Sequence, residues 1–103
     1  MKQIDIREAK KLTENGDLII VDVRDPQSYE EAHIEQAISL NDQNIESFMA
    51  KTDKKKPLLC YCYHGFSSQS AAAYFLSNGF EDVYSMDGGF EAWRLTYPVV
   101  GNS

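Results

Sequence analysis

The chain has no apolar run approaching the roughly 20 residues that cross a bilayer. Its opening, MKQIDIREAKK, lacks the apolar stretch of a secretory signal. These two absences make a cytoplasmic protein with no membrane contact the expectation. Positive charge is also scarce, with 10 Lys and Arg against 16 Asp and Glu and a formal net charge of -6. Nucleic-acid binding rests on neutralising phosphates, so this balance argues against it. The run Lys54, Lys55, Lys56 before Pro57 reads as a solvated loop. There are two cysteines, Cys60 and Cys62. Read as strand positions pointing to opposite faces, they make a poor disulfide pair and are expected to be reduced thiols. With no third cysteine, and with His33 as the only histidine besides His64, no metal site is expected.

What is present fits a small globular domain. Apolar residues make up 43% of the chain and charged residues 25%, close to the norm for soluble domains. A chain of 103 residues supports one modest core. A single domain over 1–103 is expected, with its core at about residues 14–98. Short apolar runs alternate with helical patterns, which predicts an α/β fold with a central, mainly parallel sheet flanked by helices. Asp5 and Glu8 form a helix-capping pair ahead of Ala9 and Leu12, with Gly16 as the stop. Strands are predicted at 18–23, 37–40, 58–61 and 83–86, the last closing the sheet. Asp25 and Pro26 suit the cap and first position of a short helix through Glu30. Further helices are predicted at 45–49, 67–78 and 90–95, and 99–103 reads as a loose tail.

The informative stretch is LLCYCYHGFSSQSAAA at 58–73, where a buried strand runs through a short loop into a helix. Cys62 stands at the junction. Ligand crevices of open α/β sheets lie beyond the carboxyl ends of the strands, and a helix start there aims unpaired N–H groups at the loop. If Tyr63, His64, Gly65, Phe66, Ser67 and Ser68 curl around the Cys62 sulfur, their backbone amides cradle a thiolate. Lowering a thiol pKa by about two units takes roughly 2.7 kcal/mol. A helix terminus supplies up to about 2 kcal/mol, and a hydrogen bond to a charged group about 1.5 to 3. Loop geometry therefore suffices without a general base, and His64 is read as projecting outward. Tyrosine phosphatases share the layout of cysteine, five-residue loop and helix, but their loop ends in arginine. Here the corresponding residue is Ser68 and the loop holds no cation, so phosphate-ester hydrolysis is not expected.

Four segments, VDVRDPQSY at 21–29, AHIEQA at 32–37, CYHGFSS at 62–68 and DGGFEAW at 87–93, together make the chain resemble the rhodanese family over nearly its whole length. The resemblance implies a rhodanese-like domain and a thiosulfate sulfurtransferase activity. Cys62 would take the outer sulfur of thiosulfate as a persulfide, release sulfite, and pass the sulfur to cyanide or to a dithiol such as thioredoxin. No metal or organic cofactor is implied. Phe66 is expected to form an apolar rim favouring a protein acceptor over a small ion. Two other readings keep the fold: a sulfur-relay carrier fed by a protein persulfide, and a noncatalytic binding module, which has no need of a cysteine in an amide-lined loop. Asp22 with Arg24, His33, Cys60 and Trp93 are read as structural. Ser67 and Ser68 are candidate helix caps or hydroxyl donors to the sulfur, and Asp87, Gly88 and Gly89 form a turn bringing backbone close to the loop.

Overall fold

A computed structural model describes residues 1–102 of the chain. Strands and helices alternate as β1 (Lys2–Ile4), α1 (Ile6–Thr13), β2 (Ile19–Asp22), α2 (Pro26–Glu31), β3 (Ile38–Ser39), α3 (Ile45–Lys51), β4 (Leu58–Tyr61), α4 (Ser67–Ser77), β5 (Val83–Met86) and α5 (Gly89–Arg94). The strands form one parallel sheet in the order β1-β5-β4-β2-β3. From β2 the chain steps outward to β3 and then returns to the other side of β2 to lay down β4. This reversal opens the crevice typical of doubly wound sheets at the carboxyl ends of β2 and β4.

Local chemistry explains most boundaries. Asp5 accepts a hydrogen bond from the Glu8 amide at the start of α1. Asp25 caps α2 by accepting from the Ser28 amide, with Pro26 at the position where a missing N–H costs least. Helix α1 ends at Thr13, short of Gly16, because the Asn15 side chain turns the chain by accepting from the Asp17 amide. Alternation along β4 sends Leu59 and Tyr61 into a layer with Ala9, Ile34, Phe90 and Trp93. Leu58 and Cys60 enter the opposite layer, with Ala72, Phe75 and Val83. Burying all four β4 residues fits a central parallel strand covered on both faces.

Three expectations are corrected. Strand β1 has no sequence signal of its own, yet it lies parallel beside β5, so 83–86 does not close the sheet. The core begins before residue 14, because Ile4 and Ala9 are buried in it. The predicted loose tail is held in place. His33 and Val100 exchange backbone hydrogen bonds at 2.7 and 3.0 Å, and the Asn102 amide donates to the Glu30 carbonyl at 3.0 Å. Ser103, the last residue of that predicted tail, lies outside the described residues.

Candidate active site

Cys62 is the first residue beyond β4, at the crevice where β2 and β4 meet. Its backbone is gripped from the α5 side. The Phe90 amide donates to the Cys62 carbonyl at 2.8 Å and the Glu91 amide to the Tyr63 carbonyl at 3.1 Å. Gly89 makes this approach possible. At φ 62° it adopts a left-handed conformation, and a Cβ there would sit 2.4 Å from the Tyr63 carbonyl oxygen. Gly65 answers from the loop at φ 97°, where a Cβ would meet the Met86 oxygen and the Gly88 nitrogen, each at 3.0 Å. The turn at 87–89 therefore supports the loop by backbone contact.

The loop closes on the sulfur. The Gly65 and Ser68 amides each donate to Cys62 Sγ at 3.2 Å, and Ser68 Oγ lies 3.4 Å from it. Phe66 occupies the N-cap of α4 without a side-chain cap bond, so the sulfur accepts a bond that a capping side chain would otherwise take. Burial pushes the Cys62 thiol pKa up. The Ser68 hydroxyl and the amides of Ser68, Gly65 and His64 outweigh that push and hold it below the ordinary thiol value. Among the described residues, the Tyr63, Phe66 and Ser67 amides make no such bond to Sγ.

Cys60 packs with Ala72 and Phe75 of α4, and the Cys62 sulfur, just beyond β4, accepts from Ser68 of the same helix, so the two thiols lie on one side of the sheet, contrary to the expected opposite faces. The strand repeat is two, so it is the intervening Tyr61 that points the other way. Both are free cysteines. Burial, and then the charge of Cys62, push the Cys60 thiol up, so it stays protonated beneath the site. His64 is exposed, as is Phe66 at 77%. Tyr63 reaches back across the loop, where its hydroxyl donates to the Asp25 carboxylate and lies 2.6 Å from Ser28 Oγ.

Beneath Tyr63, the buried Arg24 guanidinium pairs with Asp22 at 2.7 Å and donates to the Ala32 carbonyl at 2.6 Å. It also lies 4.0 Å from the Phe90 ring centroid. This arrangement ties β2 to the support of the loop and leaves the guanidinium paired. His33 Nδ1 lies 2.6 Å from the Tyr29 carbonyl oxygen, and its ring stacks on Tyr29. Trp93 is buried in the α5 layer. No group of three His, Cys, Asp or Glu side chains among the described residues has a metal-ligating arrangement. A recess of about 340 Å³ lined by Lys10, Thr13, Ile20, Ile34, Trp93 and Val100, among others, shares no residue with the Cys62 loop.

Two contributors escaped the sequence reading. The Tyr63–Asp25 contact joins residues 38 apart, and only the helix-cap pattern around Asp25 marked one end of it. Ser85 is a polar residue inside an apolar strand, 0% exposed, with Oγ 2.8 Å from Ser68 Oγ. That break in the apolar run was its one available signal.

Fold and site together define a class: a parallel α/β domain presenting one cysteine sulfur from a strand-to-helix loop lined with amides. A model of the rhodanese-like domain matches residues 5–96, and the chain belongs to that family. Among curated relatives, it is 53% identical over 97 residues to the thiosulfate sulfurtransferase GlpE of Pseudomonas syringae pv. syringae, covering 94% of this chain and 91% of that one. It is 48% identical over 98 residues to the thiosulfate sulfurtransferase GlpE of Coxiella burnetii, covering 95% and 92%. The solution structure of the rhodanese-like domain of Alr3790 from Anabaena sp. superposes with a TM-score of 0.88 at 25% identity, covering 99% of this chain and 80% of that one.

Proposed function

We propose that the chain is a thiosulfate sulfurtransferase in which Cys62 carries the sulfur. The observation carrying this reading is the Cys62 sulfur at the start of α4, accepting two loop amides and held below the ordinary thiol pKa. The thiolate attacks the outer sulfur of thiosulfate. The new S–S bond forms as the bond to the sulfonate sulfur breaks, and sulfite leaves with that electron pair. Persulfide and sulfite together carry the three negative charges of thiolate and thiosulfate. Cyanide or a dithiol then takes the outer sulfur and returns the Cys62 thiolate. Amides of Tyr63, Phe66 and Ser67, not spent on Sγ, are available to the incoming anion at the loop mouth. The free thiols suit a reducing compartment, and we assign the protein to the cytoplasm.

Phe66 supports a dithiol protein as acceptor. A side chain 77% exposed beside a reactive sulfur offers apolar contact area that cyanide has no use for. Incubation with thiosulfate is expected to add one sulfur atom to the mass of the protein, and cyanide is then expected to give thiocyanate. Cys62→Ser abolishes both signals, whereas His64→Ala retains most turnover. Absence of adduct and turnover in the unmodified protein overturns the enzyme reading, and an adduct from a protein persulfide alone replaces it with a relay carrier. Phe66→Asn is expected to lower thioredoxin turnover relative to cyanide turnover, and an unchanged ratio removes the apolar-rim reading.

A further inference from the structure

Ser85 is the third residue of β5, and nothing in the proposed chemistry touches it. Its hydroxyl is wholly buried, 2.8 Å from Ser68 Oγ, which in turn lies 3.4 Å from Cys62 Sγ. These atoms form a chain of three with two links. Among the described residues, the Ser85 hydroxyl has no other hydrogen-bond partner. A hydroxyl carries one proton and accepts through two lone pairs. Either hydroxyl can donate across the Ser68–Ser85 link; with Cys62 as a thiolate, the one arrangement that gives both protons an acceptor has Ser85 donating to Ser68 and Ser68 donating to the sulfur.

Counting protons gives the direction of the effect. With a thiolate, two hydroxyl protons serve two links and each finds an acceptor. With a thiol, three protons share the same two links, and one buried O–H or S–H goes without a partner. We infer that Ser85 is a positioning residue for Cys62, orienting the Ser68 hydroxyl towards the sulfur and so favouring the thiolate. Without Ser85, the Ser68 hydroxyl is released to turn towards a backbone carbonyl three or four residues back, as serines within helices do. The bond it still makes to sulfur also loses the strengthening that a second hydrogen bond confers on the first.

Other titratable groups near the sulfur act separately. Cys60 lies under it in β4, His64 and Tyr63 belong to the loop, and Asp87 follows β5 with its Cα packed against Gly65. Helix α4 presents no acidic residue in its first turn. The relay therefore adds a neutral, strand-borne element to the amide cradle.

The inference rests on Cys62 reacting as a thiolate, and its test uses no sulfur donor, so its failure leaves the sulfurtransferase reading standing. The pH dependence of Cys62 alkylation by iodoacetamide is followed by peptide mass in the wild type, Ser68→Ala, Ser85→Ala and the double variant. Ser68→Ala is expected to raise the midpoint by about one to two units, the worth of a hydrogen bond to a charged group. Ser85→Ala is expected to raise it by about half a unit, to add nothing in the Ser68→Ala background, and to be rescued by Ser85→Thr. A wild-type midpoint in Ser85→Ala, or an equal shift in both backgrounds, overturns the relay.

Discussion

Replacing Gly89 with alanine perturbs the narrowest point between α5 and the Cys62 loop. The added Cβ falls 2.4 Å from the Tyr63 carbonyl oxygen and 2.6 Å from the His64 nitrogen, both backbone atoms with no rotamer to change. An L-residue held in the left-handed region costs about 1 to 2 kcal/mol. Separating α5 from the loop weakens the bonds from Phe90 to Cys62 and from Glu91 to Tyr63, each worth about 0.5 to 1.5 kcal/mol. The expected destabilisation is about 2 to 5 kcal/mol by urea unfolding, which for a domain of this size lowers Tm by roughly 10 °C or more. The alkylation midpoint of Cys62 is expected to rise in the same variant, because the displaced carbonyls belong to the loop that aims the amides. Gly16→Ala is the control, since a Cβ there meets nothing within 4 Å. It is expected to be neutral or stabilising by about 0.4 to 1 kcal/mol. Gly89→Ala matching Gly16→Ala in both stability and thiol titration would refute the argument that α5 backbone contact shapes the site.

Asp25 is expected to titrate near 2, because the Tyr63 hydroxyl and then the Ser28 amide and hydroxyl stabilise its carboxylate. Since that value lies below the usual 3.8, the Tyr63 tether is intact above the usual value and is lost as pH falls through about 2; a carboxyl 13C midpoint near 4 contradicts this. Truncation after Pro98 removes three backbone hydrogen bonds to residues 30 and 33, and is expected to cost about 1.5 to 4.5 kcal/mol in urea unfolding. An unchanged midpoint denaturant concentration would mean that the tail rests on the fold without stabilising it.

The parts legible in the sequence were those whose cause is local. Asp5 and Asp25 announce their helices through side chains three residues from the amides they cap. The apolar run at 58–61 and the helix after it are strong patterns of their own, so the position of Cys62 at a strand-to-helix loop followed directly. Strand β1 was not legible because three residues carry no measurable alternation, and its pairing partner lies some eighty residues away. The tail failed for the same reason, since Val99 to Asn102 look unremarkable until His33 is placed beside Val100. Ser85 required knowing that β5 faces α4 at Ser68. The two cysteines are a different case: strand alternation itself places residues two apart on one face, so the expectation of opposite faces runs against the local pattern.

Helix α4 begins on a sulfur atom instead of on a capping hydroxyl or carboxylate. A substituent on that atom therefore bears on the beginning of a helix, through the two amides that donate to it. One additional sulfur is expected to leave the inner atom accepting from Gly65 and Ser68, whereas a bulky carbon adduct is expected to disturb the first turn of α4. Amide protection at those two residues becomes a gauge of what the protein is holding, readable by hydrogen exchange without observing a single turnover.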